Sequence, residues 1–258
     1  MSPVALTIAG FDPTGGAGVT LDARIFSQSG IYPVSVITGV VSQNTEGVER
    51  VFFFSKDMVK SQLSTLLSDI IPDGVKLGML ANKDVSMIIW GEIRKLDIPV
   101  VVDPVWRASS EDTLFEGDYR TIYRDFILPL ATVVLPNVPE AEELSGVTIE
   151  KEDDMVSAAE KILETGVKAV LIKGGHLEGR KVDLYYDSSH TEFLEVPEDS
   201  FEIHGTGCTL AALVLKHILL GDTIFDAVKR AREDFFEERK RAFRPGQGGY
   251  LFPWVRGG

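Results

Sequence analysis

Short apolar runs alternate with segments of helical periodicity along most of the chain. The runs have the length of buried strands and cover residues 4–9, 32–41, 99–103, 132–135 and 169–173. The segments with apolar residues three and four positions apart are predicted to be helices and cover residues 17–29, 59–67, 85–93, 155–163, 206–220 and 224–241. This alternation indicates an α/β fold whose mostly parallel sheet is covered by helices on both faces.

Three further segments complete the predicted organisation. Residues 184–186 and 192–196 have the pattern of a β-hairpin, and the polar segment 109–119 is predicted to be a surface loop. The tail after Phe243, rich in glycine and aromatic residues, is expected to pack on the body of the protein or on a neighbouring subunit. Because the chain has no repeat, linker or break in composition, we expect a single domain over residues 1–258.

Polar clusters follow the predicted strands repeatedly. They lie at residues 10–18, 42–45, 78–79, 103–104, 137–140 and 173–176. In open parallel sheets, ligands bind beyond the carboxyl ends of the strands. We therefore expect these clusters to meet at one edge of the sheet.

The composition bears on the partners of the protein. The chain has 26 Lys and Arg against 39 Asp and Glu, a formal net charge of −13 at pH 7. Such a surface repels the phosphates of nucleic acids and anionic lipids, so neither is an expected partner. No apolar stretch approaches the roughly 20 residues needed to span a bilayer, and no basic region precedes the N-terminal apolar run. We expect a cytoplasmic protein.

The strongest local signal for chemistry is the segment that begins the helix at 206. Gly205 and Gly207 remove side chains where a ligand could approach the backbone around Thr206. The unpaired N–H groups of a helix start bind anions, and in a kinase they would hold the transferred phosphoryl group. Cys208 lies at the same helix start, where a thiol pKa can be lowered, so it could act as a general base. The alternative is a small buried cysteine after an ordinary turn.

Four more residues could serve phosphoryl transfer or have only local structural roles. Asn137 could contact phosphate and Glu140 could hold a water bound to Mg²⁺, or the pair could simply cap a helix. Asp103 could offset charge near the metal, or it could be a turn residue that ends a strand. Lys173 could neutralise nucleotide phosphate, or it could extend to solvent from the end of a strand.

The glycine-rich loop at 15–18 does not match either common nucleotide-binding motif. It lacks the G-x-G-x-x-G spacing, and no P-loop lysine follows it. Asp22 and Gln43 could bind a polar heteroaromatic ring, because a glutamine amide offers a donor and an acceptor together. Taken alone, residues of these types are more often ordinary polar surface.

Taken together, the motifs resemble those of the hydroxymethylpyrimidine/phosphomethylpyrimidine kinases of thiamine biosynthesis, within the ribokinase-like superfamily. They occur in the family's order and comprise TIAGFDPTGGAG at 7–18, SVIT at 35–38, QNT at 43–45, GML at 78–80, VDPV at 102–105, PNVPEA at 136–141, KGGHL at 173–177 and HGTGCT at 204–209. The resemblance implies a three-layer α/β/α fold, ATP and Mg²⁺ as cofactors, and a homodimer. It implies phosphorylation of 4-amino-5-hydroxymethyl-2-methylpyrimidine and then of its monophosphate.

The resemblance also implies a role for particular residues. The residues placed around the pyrimidine are Gly10, Asp22, Gln43, Met79 and Val105. Residues 205–207 would form the anion hole beside the base Cys208. Asn137 and Glu140 match the phosphate and magnesium motif, and Lys173 falls near the nucleotide.

The sequence departs from the family pattern on the substrate side. Phe11 stands where a small polar residue is usual, and Trp106–Arg107 replaces the usual Met and small apolar residue after Asp-Pro-Val. A pyridoxal or pyridoxine kinase is therefore the alternative substrate class. A ligand-binding or regulatory protein without catalysis on the same fold is the alternative of another class.

Overall fold

The computed structural model describes residues 2–107, 113–174, 176–177, 180–197 and 203–254. The strands are β1 (Val4–Phe11), β2 (Tyr32–Gln43), β3 (Val48–Phe53), β4 (Gly74–Leu77), β5 (Ala81–Asn82), β6 (Val100–Val102), β7 (Phe115–Glu116), β8 (Val133–Val134), β9 (Ala169–Ile172), β10 (His176–Leu177), β11 (Arg180–Asp187) and β12 (Thr191–Glu195). The α-helices are α1 (Gly18–Gln28), α2 (Lys56–Leu67), α3 (Lys83–Ile93), α4 (Tyr119–Ile122), α5 (Val138–Ser145), α6 (Glu152–Leu163), α7 (Thr206–Leu219) and α8 (Ile224–Arg239). A π-helical turn, Tyr123–Ile127, and a 3₁₀ turn, Leu128–Leu130, follow α4.

A ten-stranded sheet forms the middle layer of the described chain. Its strand order is β10-β11-β9-β8-β6-β4-β1-β2-β3, and β12 also pairs with β11. The central strands from β2 to β9 pair in parallel, whereas β3 and the β10–β12 group pair antiparallel at the two edges. The predicted mostly parallel sheet and the hairpin β11–β12 are confirmed.

Helices cover both faces of the sheet, because each central strand is apolar on both sides. Leu6 and Ile8 of β1 pack toward α2, α3, α5 and α6, while Ala5 packs toward α1, α7 and α8. The predicted three-layer α/β/α arrangement is thereby confirmed. No helix in the described part of the chain combines the length and apolar character needed to cross a bilayer.

The segment predicted as a surface loop is largely part of the core where the structure describes it. Residues 109–112 lie outside the described residues. After them, Leu114 and Phe115 are buried, and β7 pairs in parallel with β5. Tyr119 is also buried, against Phe115 at a ring-centroid distance of 5.7 Å. The prediction was wrong because three large apolar side chains outweigh the polar residues between them.

The C-terminal tail packs on the body of the same chain. Leu251, Phe252 and Trp254 are buried, and Phe252 lies 5.4 Å from the ring of Phe235 in α8. The tail also reaches the turn between β2 and β3, where the N–H of Gly249 donates to the carbonyl of Thr45 at 2.7 Å. Of the two sequence-based expectations for the tail, packing on the body is the one observed.

Candidate active site

The polar clusters that follow the strands meet in one cavity at the carboxyl ends of the central parallel strands. The cavity has a volume of about 310 Å³. Of the predicted site residues, those that line it are Gly10, Gln43, Met79, Asp103, Val105, Asn137, Glu140, Lys173, Gly205, Thr206, Gly207 and Cys208. Asp22 is the predicted site residue that does not line this cavity.

The turn that begins α7 keeps its end of the cavity open. Gly205 has φ +80°, and a Cβ on it would lie 1.8 Å from the carbonyl oxygen of Gly16, so the turn requires glycine. A Cβ on Gly207 would lie 3.0 Å from both Asp103 Oδ1 and Lys173 Nζ. The first turn of this 14-residue helix therefore lines the cavity without side chains at Gly205 and Gly207, and it lies beside Lys173. That is the arrangement of an anion site.

Cys208 lies in the first turn of α7 with its thiol in the cavity wall. Burial raises the pKa of Cys208 to about 12; Lys76 opposes this rise, and the carboxylates of Asp103 and Asp22 add to it. The backbone N–H of Gly18 favours the ionised form of the thiol and so lowers its pKa slightly. The expected lowering of this pKa by the helix start is therefore wrong, because burial outweighs the helix terminus. Cys208 carries its proton at neutral pH.

Asp22 is a buried ion-pair partner and does not line the cavity. Its Oδ2 accepts from Lys76 Nζ at 3.0 Å and from Thr7 Oγ1 at 2.5 Å. Both charged side chains are fully buried. Although burial lowers the pKa of Lys76, the carboxylate of Asp22 outweighs it and raises that pKa above its usual range. The carboxylate of Asp22 is thus engaged by two buried groups beneath the cavity, in disagreement with the predicted contact with a ring.

Lys173 and Asp103 form an ion pair at the end of the cavity where α7 begins. Lys173 Nζ lies 2.9 Å from Asp103 Oδ1. The other oxygen, Asp103 Oδ2, is buried and finds no hydrogen-bond partner among the described residues. The alternative in which Lys173 extends to solvent from the end of its strand is therefore not observed. Asp103 pairs with this lysine and so does more than end a strand.

Asn137 and Glu140 begin α5 and border the same end of the cavity. Each caps the other: Glu140 N–H donates to Asn137 Oδ1, and Asn137 N–H donates to Glu140 Oε2, both at 2.8 Å. Burial raises the pKa of Glu140 to about 7, with Asp103 adding to the rise and Lys173 opposing it. The helix-capping interpretation is confirmed, and both residues line the same cavity as Lys173 and Asp103.

Two cavity residues, Asp12 and His204, were missed in the sequence. His204 Nε2 lies 3.0 Å from Asp12 Oδ2. Burial raises the pKa of Asp12, but hydrogen bonds from His204, Gln43 and Thr14 outweigh it and leave that pKa below its ordinary value. Their positions beside the glycine loop and directly before Gly205 were the available signal. The pair joins the loop after β1 to the turn before α7.

The residues that depart from the family pattern on the substrate side lie at different positions relative to the cavity. Phe11 and Arg107 line the cavity, and Trp106 is not among the lining residues. The ring of Trp106 stacks on Tyr119 with centroids 5.5 Å apart and an interplanar angle of 26°. Phe11 therefore narrows the cavity directly, whereas Trp106 supports its rim.

A larger cavity of about 1020 Å³ adjoins the first. The two share Gln43, Lys173, His204 and Thr206 among their lining residues. The apolar part of the larger cavity is lined by Val196, Ile203, Leu210, Phe235 and Phe236. Apolar walls that lead to an anion-binding helix start suit a nucleotide, with its base on the walls and its phosphates at the turn.

Arg232 contributes a fixed cation to this larger cavity. It pairs with Asp183 and donates to the carbonyl oxygens of Leu194, at 3.3 Å, and Glu195, at 2.7 Å. Burial lowers its pKa to about 10, so it stays charged at neutral pH. These contacts tie β12 to α8 and hold one wall of the cavity in place.

The two cavities together provide the parts that phosphoryl transfer requires. The smaller is lined by an amide, Gln43, and by a thiol, Cys208. The open helix start and the Lys173–Asp103 pair lie where the cavities meet. A donor phosphate at that junction would face an acceptor group in the smaller cavity.

Comparison with known proteins gives a consistent picture. The sequence profile described as phosphomethylpyrimidine kinase matches residues 12–251. A hydroxymethylpyrimidine/phosphomethylpyrimidine kinase of Staphylococcus aureus (strain MSSA476) is 38% identical over 235 residues, which cover 89% of this chain and 85% of that protein.

Two solved structures resemble the whole arrangement. A phosphomethylpyrimidine kinase from Clostridium difficile 630 is 35% identical, with a TM-score of 0.81 over 92% of this chain and 99% of that one. A pyridoxal kinase from Bacillus subtilis, solved as an ADP complex, is 32% identical, with a TM-score of 0.88 over 98% of this chain and 97% of that one. Both similarities extend over nearly the full length of the chain.

Proposed function

The chain belongs to the phosphomethylpyrimidine kinase family, and from that premise we propose the two reactions that it catalyses. It transfers the γ-phosphoryl group of ATP to the hydroxyl of 4-amino-5-hydroxymethyl-2-methylpyrimidine. It then transfers a second phosphoryl group to the monophosphate, which yields the diphosphate used in thiamine biosynthesis.

One observation carries this proposal: the smaller cavity, which we call the acceptor cavity, opens directly onto its junction with the larger cavity. Gln43 borders both cavities, and so do Lys173 and Thr206. An aminopyrimidine presents a donor and an acceptor on one edge, and the Gln43 amide can match both. A ring held there projects its hydroxymethyl group toward the residues that begin α7.

The first reaction requires a proton acceptor. The substrate oxygen forms a bond to the γ-phosphorus, the bond from that phosphorus to the β,γ-bridging oxygen breaks, and ADP leaves with that electron pair. The hydroxyl proton passes to a base, for which Cys208 is our candidate. N–H groups at the start of α7 and the Lys173 ammonium stabilise the negative charge on the transferring group.

Mg²⁺ belongs to the proposal, and the residues present fit it. Asp103 Oδ2 is a buried carboxylate oxygen that no donor in the described part of the chain reaches, and the Glu140 carboxyl lines the same cavity. No group of three or more potential ligand side chains forms a metal cage in the described residues. That is in keeping with Mg²⁺, which takes one or two carboxylates and is otherwise held by water and substrate phosphates. When bound, it would offset phosphate charge.

Two further expectations from the sequence are part of the proposal. We expect a homodimer, which light scattering coupled to gel filtration tests. A cytoplasmic location stays a prediction.

A coupled ADP-release assay tests the proposed function. The purified protein is given ATP and Mg²⁺ with the aminopyrimidine alcohol, its monophosphate, or pyridoxal. We expect the largest kcat/KM with the two pyrimidines. Because a pyridoxal kinase shares this fold, a pyridoxal kcat/KM well above both pyrimidine values would reject the proposed substrate. Gln43→Ala is expected to raise KM for the pyrimidines, with Gln62→Ala, whose amide bonds Ile37 outside both cavities, as the control.

A further inference from the structure

The second phosphorylation brings a charge into the acceptor cavity that the first does not. The alcohol acceptor is neutral, whereas a phosphate monoester carries about −1.5 to −2 charges at pH 7. The cavity lining already contains the carboxylates of Asp12, Asp103 and Glu140. Lys173 lines the same cavity, and its Nζ is already paired with Asp103. An acceptor phosphate therefore needs a further cation.

Arg107 is a cation at the rim of this cavity, and none of the described carboxylates pairs with it. It lines the smaller cavity, as do its sequence neighbour Val105 and the buried Leu114. Its side chain is exposed, and in the described part of the chain no Asp or Glu pairs with it. A guanidinium stays charged at all relevant pH values, and its planar donors match two phosphate oxygens at once.

The rim around Arg107 holds the guanidinium in place. Its Cζ lies 4.4 Å from the centroid of the Trp106 ring, which stacks in turn on Tyr119. The hydroxyl of Tyr119 donates to the carbonyl of Pro104 at 2.7 Å. A backbone bridge also joins Arg107 to Thr113. The bulky Trp106 thus serves as the platform for the arginine that follows it.

We propose that Arg107 binds the phosphate of the monophosphate acceptor and determines specificity for the second phosphorylation. The inference rests on the proposed function, because it concerns the second substrate of the same cavity. It explains why two departures from the family pattern stand side by side: the tryptophan supports the arginine, and the arginine supplies the charge.

The second step needs charge compensation and no base. One phosphate oxygen of the monophosphate forms a bond to the γ-phosphorus of ATP, the β,γ-bridging bond breaks, and ADP leaves with the electron pair. The second pKa of a phosphate monoester is about 6, so at pH 7.5 the attacking oxygen carries no proton. What opposes the step is repulsion between two phosphates, and a guanidinium on the acceptor phosphate reduces it.

The test measures kcat/KM separately for the alcohol and for the monophosphate in wild type, Arg107→Gln and Arg107→Lys. The quantity of interest is the ratio of the monophosphate value to the alcohol value. Loss of a charged, bidentate contact is expected to lower this ratio at least tenfold in Arg107→Gln. Arg107→Lys keeps the positive charge but cannot donate to two phosphate oxygens in parallel. Its ratio is therefore expected to lie between those of wild type and Arg107→Gln. A reaction started from the alcohol is then expected to accumulate monophosphate.

The matched control is Arg94→Gln. Arg94 also stacks on a tryptophan, with Cζ 4.3 Å from the Trp90 centroid, and lies outside both cavities. Its ratio is expected to equal that of wild type. An unchanged ratio in Arg107→Gln overturns the inference, whether both activities fall together or neither falls. If wild type phosphorylates neither pyrimidine, the proposed function itself fails, and this inference fails with it.

Discussion

Cys208→Ala is expected to separate the two phosphorylations, because only the first requires removal of a proton. The alcohol must lose its proton as the new bond forms. The monophosphate has a second pKa of about 6 and attacks as a dianion at pH 7.5. A base at Cys208 therefore contributes to one reaction and has nothing to do in the other.

The pKa of the thiol sets the magnitude and the pH dependence. With a pKa of about 12, about one thiol in 30,000 is ionised at pH 7.5, and this fraction rises about tenfold per pH unit. General-base catalysis contributes about 10²–10⁴-fold. Cys208→Ala is expected to lower kcat/KM for the alcohol by that factor and for the monophosphate by less than about threefold.

The assay follows ADP release with each acceptor between pH 6.5 and 8.5. In wild type, kcat/KM for the alcohol is expected to rise with pH across this range, because more thiolate forms. The value for the monophosphate is expected to be nearly flat, since that acceptor is already ionised. Chromatography of the products confirms which phosphorylation has taken place.

The matched control is Thr209→Val, at the next position of α7. Thr209 is fully buried, does not line the acceptor cavity, and its Oγ1 has no hydrogen-bond partner within the described ranges. The change keeps the shape of the side chain, and both activities are expected to persist. Equal losses on the two acceptors in Cys208→Ala, or parallel pH profiles in wild type, would refute a role for the thiol in proton transfer.

Three further predictions concern the anion site and the stability of the fold. Gly207→Ala places a methyl group 3.0 Å from Asp103 Oδ1 and Lys173 Nζ and is expected to lower kcat at least 100-fold for both acceptors, with a melting temperature near that of wild type. A hydrogen bond from a histidine of α7 is the main cause that lowers the pKa of Asp234 to about 2. The ionised Asp234 therefore stabilises the fold above pH 4, and this effect is lost as the pH falls toward 2. Because Asp234 is partly exposed, Asp234→Asn is expected to lower the free energy of unfolding in urea by about 1 kcal/mol at pH 7 and by little at pH 2. Phe252→Ala, in the buried tail, is expected to cost about 3 kcal/mol in the same measurement.

The convergence of the site was predictable because it follows from topology. Each parallel strand ends at the same edge of the sheet, so polar clusters after Val102, Leu135 and Ile172 had to lie near one another. The glycine-rich start of α7 was readable for a similar reason: Gly205 and Gly207 stand where a side chain would block the backbone. Both inferences need only local sequence and the sheet order.

The role of Asp22 was not predictable, because its partner lies far away in the sequence. Lys76 stands 54 residues later, within a strand whose neighbours are apolar. A lysine in such a strand is usually taken for an exposed residue. Only the packing of α1 on the sheet brings the two charges together. The raised pKa of Cys208 has the same origin, since burial by distant segments cannot be read from a helix start.

The segment before α4 and the C-terminal tail illustrate a second limit of prediction from the sequence. Leu114 and Phe115 are separated by polar residues from the elements they pack against, so no periodicity marked them as core. Phe252 lies close to the end of the chain and packs against α8. These residues are buried because the chain passes over an apolar surface of the folded body. The position of that surface depends on how the helices are arranged around the sheet.

The most direct test of the account is a crystal structure with the aminopyrimidine alcohol and a non-hydrolysable ATP analogue bound together. We expect the ring to lie against Gln43, its hydroxyl oxygen to lie within hydrogen-bond distance of Cys208 Sγ, and the terminal phosphate to contact the N–H groups of residues 205–208. A ring bound outside the smaller cavity, or a hydroxyl directed away from the terminal phosphate, would contradict the account.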